Sequence, residues 1–340
     1  MDITQVTTRS RASDRAVFIV WSAPTHGSSR SRLLAKALQI EDLHYLYSTA
    51  KGGPFSAPLR YLLQGAQTLR LLFQKRPVTV FVQSPPSYAV FFVAIYCALT
   101  RARYIIDAHS DALQRGIWTR PRWLWKRINR GAIVTLVTDD YFRAQLERSG
   151  AKAMVLRDPV ASAPLVPSTR ESGFQVTVVN TFSRDEPLHE VLHAAAGLPE
   201  VHFYVTGKRS RADPRLLDEA PKNVIFTDFL SSEAYNQLLA SSHAVMSLTT
   251  RDHTLQCGAC EALSLKVPII TSDWPLLRDY FSLGTVHVDN SAEGILAGIQ
   301  SLRNAYERYT TEIGELHAIR YAEWQQHVAG LQALVTPAGQ

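Results

Sequence analysis

Glu261 lies in the segment Leu248–Ser272, where a predicted strand leads through a polar loop into a helix that opens at Gly258. The first N–H groups of a helix have no partner within it, so the backbone of Gln256, Cys257 and Gly258 could hold an anion. In the first turn, the Glu261 carboxylate could accept hydrogen bonds from two hydroxyls of a ribose-like ring. The residue types alone favour the simpler interpretation that Glu261 only complements the helix dipole.

Further candidates stand at the ends of predicted strands. His109 ends one strand in the pattern Asp107-Ala108-His109. Its imidazole could contact a substrate or a reacting oxygen, or be a hydrogen-bonded structural histidine, and the residues leave both open. Asp107 is expected to orient His109 or the backbone rather than to react. Arg184 and Lys208 follow two later strands and could neutralise an anionic group, or be solvated surface charges.

Several motifs are absent from the sequence. It has no G-x-x-x-x-G-K-[ST] phosphate loop, no G-x-G-x-x-G after the first strand and no G-x-S-x-G nucleophile turn. Cys257 and Cys260 form a C-x-x-C pair without a second pair, so a zinc site is not expected. The chain also lacks the Asp-x-Asp motif of a metal–diphosphate clamp. The sequence therefore predicts no metal and no bound cofactor.

Short β-branched runs alternate with amphipathic segments, which is typical of parallel α/β units. The alternation stops in a stretch rich in Pro, Ser and Ala and then restarts, which predicts two domains. We expect an N-terminal Rossmann-like domain at 1–160, a linker at 161–172, a C-terminal Rossmann-like domain at 173–315 and a helix at 316–340 that crosses back to the first domain. In such a pair of domains, ligands bind at the carboxyl ends of the strands, in the crevice between the domains.

Some helices are predicted with particular features. The helix at Ser28–Leu38 is expected to direct its basic residues outward, Arg30 among them. The longest apolar run, Tyr88–Leu99, has 12 residues, whereas a membrane span needs about 20, so it predicts a buried helix. Two further helices are predicted near the C-terminus, at Ala292–Tyr309 and Glu315–Leu334.

Composition limits the class of protein. The 340 residues include 36 Lys and Arg against 30 Asp and Glu, which gives a net charge of +6, and 46% of the chain is hydrophobic. These values exclude a disordered chain. Three cysteines are too few for a disulfide framework and favour a reducing compartment. The polar N-terminus lacks the apolar core of a signal peptide, so we expect a cytoplasmic protein.

Several stretches together resemble retaining GT-B glycosyltransferases of family 4. The resemblance rests on a Gly-containing turn before Glu-Ala-Leu, on Val267–Ser272, and on the stretches Asn180–Pro187, Val205–Lys208, Phe226–Leu230 and Ile105–His109. It implies an α/β protein of the GT-B class, with two Rossmann-like domains whose parallel sheets face each other across a cleft. It covers most of the chain.

The resemblance also implies roles for particular residues. Glu261 would bind the nucleotide ribose, and the loop from His253 to Gln256 would face the donor sugar. The family has a Glu where this chain has His253, and a neutral imidazole does not copy the acceptor geometry of a carboxylate. The implied catalytic residues are His109, His253 and Glu261. The implied donor-binding residues are Arg184, Lys208, Phe229, Leu230, Thr254, Gln256, Cys257, Gly258 and Glu261. His26 and Gly27 correspond to the first loop, near donor and acceptor.

The implied reaction is transfer of a sugar from a nucleoside diphosphate sugar to a saccharide or lipid-linked acceptor. It would proceed with retention, without a metal and without a protein nucleophile, in the synthesis of surface polysaccharide or glycoconjugates. Two alternatives stay open. One is a nucleotide-sugar 2-epimerase on the same fold, and the other is a non-catalytic nucleotide-sugar-binding partner.

A basic, tryptophan-rich segment at 115–130 favours contact with an anionic membrane surface. It contains no acidic residue, and indole rings and arginines suit the boundary between lipid and water. A solvated helix with its tryptophans packed inward, or a nucleic-acid patch, would have the same composition, but nucleic acid is not an expected partner. The expected membrane contacts are Arg115, Trp118, Arg120, Arg122, Trp123 and Arg127. The expected location is the cytoplasm, at the inner face of the plasma membrane.

Overall fold

The computed structural model describes residues 16–22, 29–47, 57–160 and 173–335. These residues form two compact units. The first unit comprises residues 16–157 together with 325–335, and the second comprises residues 158–324. The predicted linker, 161–172, and the first-loop residues His26 and Gly27 lie outside the described residues.

The first unit is a parallel sheet flanked by helices. Its strands are β1 (Ala16–Val20), β2 (Asp42–Tyr45), β3 (Thr79–Ser84), β4 (Arg103–Ala108), β5 (Thr135–Val137) and β6 (Ala153–Val155). Its helices are α1 (Ser29–Ala37), α2 (Ala57–Lys75), α3 (Ser87–Thr100), α4 (Ser110–Gln114), α5 (Arg122–Gly131) and α6 (Asp140–Arg148). The strand order is β2-β1-β3-β4-β5-β6. Every residue of β1 and β3 is buried, as expected for parallel strands that are covered on both faces.

The second unit repeats this architecture. Its strands are β7 (Phe174–Val178), β8 (Val201–Thr206), β9 (Val224–Asp228), β10 (Ala244–Ser247), β11 (Ile269–Ser272) and β12 (Thr285–Val288). Its helices are α7 (Leu188–Ala196), α8 (Pro214–Asp218), α9 (Ser232–Ser241), α10 (Cys257–Leu265), α11 (Pro275–Tyr280), α12 (Ala292–Asn304) and the first part of α13 (Tyr306–Val335). The strand order is β12-β11-β10-β7-β8-β9, and all pairs are parallel. The two sheets confirm the predicted α/β class.

The helices near the C-terminus differ from the prediction. α12 ends at Asn304, and one helix, α13, begins at Tyr306 and continues to Val335, through the break expected around residue 312. Tyr309 and Leu316 of α13 are buried in the hydrophobic cores of the second unit. Because those side chains pack there, the second unit extends to residue 324 and not to 315. The last part of α13 belongs to the first unit, in which Gln332 donates to the carbonyl of Ala37.

Two expectations for the first unit were wrong in detail. Arg30 does not point outward but is 3% exposed, because its guanidinium pairs with the buried Asp107. The apolar run forms the helix α3, as predicted, but only one side of this helix is buried. Val93 lies on the buried side, whereas Leu99 is 70% exposed. Within the described ranges, no helix is long and apolar enough to span a bilayer.

Candidate functional site

The predicted donor-binding residues lie at the carboxyl edge of the second sheet. In this sheet β7 lies between β8 and β10, so the connections on its two sides run in opposite directions. Such a topological switch point is where open α/β sheets bind ligands. The loops that follow β7 and β10, residues 179–187 and 248–256, meet at this point.

Helix α10 begins directly below this point. Its N-cap, Gln256, has an extended backbone, and its side-chain Oε1 accepts a hydrogen bond from Thr271 Oγ1 at 3.2 Å. The first helical hydrogen bond runs from Cys260 N to Gln256 O. A Cβ at Gly258 would lie 2.7 Å from Val179 Cβ, so glycine allows the helix to pack closely on the sheet. The start of α10 is thereby fixed at the switch point.

Glu261 is half-buried and is held by a tyrosine. Tyr235 of α9 donates its hydroxyl to Glu261 Oε2 at 2.6 Å. Burial raises the pKa of Glu261, the Tyr235 hydrogen bond lowers it, and the nearby Asp158 carboxylate raises it; the net direction is upward. Burial and the Glu261 carboxylate raise the pKa of Tyr235 well above 10, so the phenol keeps its proton and remains a donor. This contact fixes the carboxylate in one orientation.

The loop after β10 is held by hydrogen bonds centred on Thr249. The Thr249 N–H donates to Ser272 Oγ at 2.8 Å, and its carbonyl accepts from Trp274 Nε1 and Asn290 Nδ2 at 2.9 and 3.0 Å. Asp185, in the loop after β7, accepts from Thr249 Oγ1 at 3.2 Å. The two loops at the switch point are therefore tied to each other.

Asp185 and Glu186 also shape the first of these loops. Burial acts to raise the pKa of Asp185, but hydrogen bonds from Ser183 and Thr249 hold it below its usual value. Glu186 accepts from the backbone N–H groups of Thr181 and Ser183 at 2.8 and 2.9 Å. Glu186 therefore holds the first loop, and Asp185 holds both loops. Two other carboxylates lie near the start of α10: Glu261, and Asp158, whose Oδ2 is 3.7 Å from Cys257 Sγ.

His253 occupies a strained position in the loop after β10. Its φ is 54°, in the left-handed region that few residues other than glycine and asparagine adopt. Its N–H donates to Asp252 Oδ1 at 2.6 Å, and its Nε2 lies 3.7 Å from Asp252 Oδ2. Thr254 Oγ1 donates to the carbonyl of Asp252 at 3.2 Å. Asp252 thus sets the direction of the predicted sugar-facing turn.

The predicted cations stand on neighbouring strand ends. Arg184 is exposed in the loop after β7, and Lys208 is exposed after β8. Gly207 precedes Lys208 with φ +108°, and a Cβ there would lie 2.3 Å from the carbonyl oxygen of Asn180. Glycine is required at that turn. Beyond β9, Phe229 is 69% exposed and Leu230 is half-buried.

In the first unit, His109 follows β4 and lies beside a buried ion pair. The Arg30 guanidinium donates from Nε to Asp107 Oδ1 at 2.8 Å and from Nη1 to the carbonyl of Leu156 at 2.7 Å. His109 Nε2 lies 3.5 Å from Asp107 Oδ2, and the imidazole is a quarter exposed. Burial raises the pKa of Asp107, but Arg30 and His109 hold it well below its usual range. The chief partner of Asp107 is Arg30, with His109 as the second.

The predicted membrane residues are largely at the surface. Trp123, on α5, is 69% exposed, and Arg115, Arg120, Arg122 and Arg127 are exposed. Trp118 is half-buried and packs edge-on against Tyr88, with ring centroids 6.3 Å apart. Trp125 also packs against the core of the first unit. Of the three tryptophans, one points outward and two contribute to packing.

Comparisons with known proteins bear on both units. Residues 184–329 match the family model described as "Glycosyl transferase-like". The structure of HepE from Anabaena in complex with UDP and glucose is similar, with a TM-score of 0.70 at 14% identity, over 94% of this chain and 99% of that one. Sucrose-phosphate synthase from Thermosynechococcus elongatus has a TM-score of 0.72 at 14% identity, over 94% and 97% of the two chains.

The chain has the GT-B fold. The family match confirms the glycosyltransferase class expected from the sequence. A Listeria monocytogenes protein assigned as a UDP-N-acetylglucosamine 2-epimerase shares this GT-B fold, with a TM-score of 0.60 at 10% identity over 93% and 96% of the chains. Comparison with curated protein sequences gives no match.

The second sheet of this GT-B chain brings together most of the predicted donor residues. Thr254, Gln256, Cys257, Gly258 and Glu261 belong to one loop and helix. Arg184, Lys208, Phe229 and Leu230 follow the adjacent strands β7, β8 and β9. Among the described residues, no group of three or more His, Cys, Asp and Glu side chains is arranged to hold a metal ion.

Sequence reasoning missed Tyr235. It lies 26 positions before Glu261, on a different helix, and its role depends on the packing of α9 against α10. The available signal was topological. α9 precedes β10 and α10 follows it, so the two helices are neighbours on one face of the sheet.

Proposed function

We propose that the chain is a retaining glycosyltransferase of the family 4 type, which uses a nucleoside diphosphate sugar as donor. The observation that carries this proposal is the Glu261 carboxylate, fixed by Tyr235 at the switch point of the second sheet. Because α10 begins at Cys257, Glu261 lies in its second turn and not in the first turn expected from the sequence. A carboxylate in that place accepts hydrogen bonds from the two ribose hydroxyls while the helix N-terminus binds the diphosphate. The glycosyl transferase-like match covers this helix.

The remaining residues take roles in the transfer. Arg184 and Lys208 neutralise the departing diphosphate, together with the N-terminus of α10. Phe229 and Leu230 border the base. His253 and Thr254 face the donor sugar, and His109 contacts the transferred sugar or the reacting oxygen. The acceptor oxygen attacks the anomeric carbon on the face that the diphosphate leaves, and the departing phosphate oxygen takes the acceptor proton. Neither a metal nor a protein nucleophile enters this scheme.

The acceptor is proposed to be a saccharide or a lipid-linked saccharide, in the synthesis of surface polysaccharide or glycoconjugates. A cytoplasmic location suits the three free cysteines, of which Cys257 is exposed. The exposed cations and Trp123 on and before α5 support contact with the inner face of the plasma membrane.

Replacing Glu261 by Gln is expected to weaken the binding of free nucleoside diphosphate about 10- to 100-fold, because hydrogen bonds to a charged group contribute about 1.5–3 kcal/mol. UDP is the first probe, since HepE binds it, and calorimetry measures the affinity. Tyr235→Phe removes one hydrogen bond to the carboxylate and should cause a smaller loss. The matched control is Glu293→Gln, an exposed carboxylate in the first turn of α12.

An unchanged UDP affinity in a folded Glu261→Gln protein would contradict the ribose role. Turnover of a UDP-sugar without an acceptor would instead favour the epimerase. Donor binding with neither transfer nor slow donor hydrolysis would favour a non-catalytic partner.

Membrane contact is expected to depend on charge and on tryptophan. Each exposed cation near an anionic membrane strengthens binding about fivefold, and the attraction decays within about 8 Å at physiological salt. Flotation with anionic vesicles should therefore recover the protein, and recovery should fall but not vanish as salt rises. Replacing Arg120, Arg122, Arg127 and Trp123 together should abolish most of it. Equal recovery on neutral and anionic vesicles would contradict the proposal.

A further inference from the structure

Helix α3 of the first unit has an apolar side that no other element covers completely. Its buried side packs on the sheet through residues such as Val90 and Val93. On the opposite side, Phe91 and Ile95 are only half-buried and Ala98 is exposed. A groove of about 840 Å³ runs along this side, between α3 and α5. Its α3 wall is formed by Phe91, Ala94, Ile95 and Ala98.

The other wall of the groove is cationic. α5 contributes Trp123 and Leu124 to the lining, followed by Lys126, Arg127 and Arg130. None of the described residues that line the groove is acidic. The sequence extends this bias, since residues 57–106, which include α2 and α3, contain no Asp or Glu. An apolar floor beside three cations is complementary to a molecule with a hydrocarbon body and an anionic head.

The groove continues toward the start of α3. A second, smaller cavity is lined by Tyr88, Ile117 and Trp118, and it shares Phe91, Leu124 and Ile128 with the main groove. Ile117 is 64% exposed there. The apolar surface thus follows most of α3, a helix of 14 residues that is about 20 Å long. One leaflet of a bilayer has a hydrocarbon depth of about 15 Å, so an acyl chain fits along this surface.

We propose that this groove binds one hydrocarbon chain of an anionic membrane lipid, whose phosphate pairs with Lys126 and Arg127. The proposal rests on the proposed membrane contact and adds a specific site to it. An extended peptide segment would need hydrogen-bond partners for its backbone, and the groove wall on α3 is apolar. The hydroxyl of Tyr104, another lining residue, already donates to the carbonyl of Ile128 at 2.5 Å.

Chain-brominated lipids test this site directly, because bromine quenches tryptophan fluorescence on contact. Vesicles of anionic phosphatidylglycerol with brominated acyl chains should quench Trp123, measured as the difference between the unmodified chain and its Trp123→Phe variant. Ala98→Phe fills the groove from an exposed helix position and should remove most of that quenching, while flotation on the same vesicles is retained. Ala94→Leu, one turn earlier, is the second filling variant.

Two controls separate the groove from the surface as a whole. Leu99→Phe changes the neighbouring exposed residue, which does not line the groove, and should leave both flotation and quenching unchanged. Lys126→Glu with Arg127→Glu should reduce quenching more than Arg148→Glu, a charge reversal on α6. Undiminished Trp123 quenching in both filling variants, on vesicles that still float the protein, would overturn the groove. If the unmodified chain does not float with anionic vesicles, the membrane contact on which the groove proposal rests is overturned. UDP calorimetry shows separately whether the chain binds the nucleotide.

Discussion

Replacing Arg30 by Met is expected to lower the free energy of unfolding of the first unit by about 3–5 kcal/mol, the cost of leaving a buried charge without its partner. Arg30 is 3% exposed and Asp107 is fully buried, and their side chains meet at 2.8 Å. The same guanidinium donates to the carbonyl of Leu156. Methionine replaces the apolar part of the arginine side chain but has no guanidinium, so both of these hydrogen bonds are lost.

The loss should depend on pH in a defined direction. In the parent chain the pKa of Asp107 lies well below its usual value in the folded state, because Arg30 and His109 together outweigh burial, which acts to raise it. The pair therefore contributes stability above the unfolded pKa of about 4, and this contribution is lost as the pH falls below it. In Arg30→Met, His109 remains beside Asp107, but burial, the largest single effect, is no longer opposed by Arg30 and raises the pKa of Asp107. Protonation then relieves the buried charge, so the deficit of the variant shrinks on acidification.

Hydrogen exchange of β4 amides in increasing urea measures the stability of the first unit separately from the second. The control is Lys36→Met, which removes an exposed cation from the same helix and should change stability by less than about 1 kcal/mol. A deficit for Arg30→Met that is equally small, or that stays constant from pH 7 to pH 4, would show that the pair does not stabilise the fold.

His109→Ala is expected to lower sugar transfer about 10²- to 10³-fold, the range for removing one group that interacts with developing charge. Because His109 belongs to the first unit and the residues proposed to bind the nucleotide belong to the second, the affinity for UDP should stay unchanged. The separation of the two effects is the informative result. A parallel loss of transfer and UDP affinity would indicate a structural collapse, and parental activity would make His109 a structural residue.

His253 needs a variant that respects its backbone. Alanine at φ 54° would add strain that affects the loop independently of the imidazole. Asparagine tolerates that conformation, so His253→Asn tests the side chain alone and should lower transfer while UDP affinity is retained. His189→Ala, at an exposed position on α7, is the control for loss of an imidazole. Release of UDP from the donor sugar in the presence of acceptor, together with calorimetry, measures both quantities.

The fold could be predicted because its signals are local. Most strands are continuous apolar runs such as Ala16–Val20, and the helices between them carry apolar stripes. The segments that were missed carry weak signals. β2 (Asp42–Tyr45) has four half-buried residues at the edge of the sheet, and α8 (Pro214–Asp218) is a single short turn.

Only the part of the candidate site that lies within one continuous segment of the chain could be predicted. Glu261 and the start of α10 lie within one continuous segment, and the prediction of a helix opening there was correct within one residue. Their supports come from elsewhere in the chain. Tyr235 of α9 donates a hydrogen bond to Glu261 of the neighbouring helix α10. Arg30 of α1 points inward because it pairs with Asp107 of β4, 77 positions later in the chain. A charged residue on a helix is expected to be exposed. Arg30 is buried instead because its partner, Asp107, is distant in the sequence.

The hydrogen bonds around Thr249 bear on how the proposed donor-facing loop tolerates substitution. Asp185, Ser272, Trp274 and Asn290 each hold the loop after β10. Replacing Ser272 removes both the acceptor of the Thr249 N–H and the donor to Asn290 Oδ1, so a change at one position of this set disturbs contacts at others. A change in the proposed donor preference therefore requires matched substitutions at several of these positions. Transplanting 179–187 and 248–256 together, and not residue by residue, is the corresponding route for redesign.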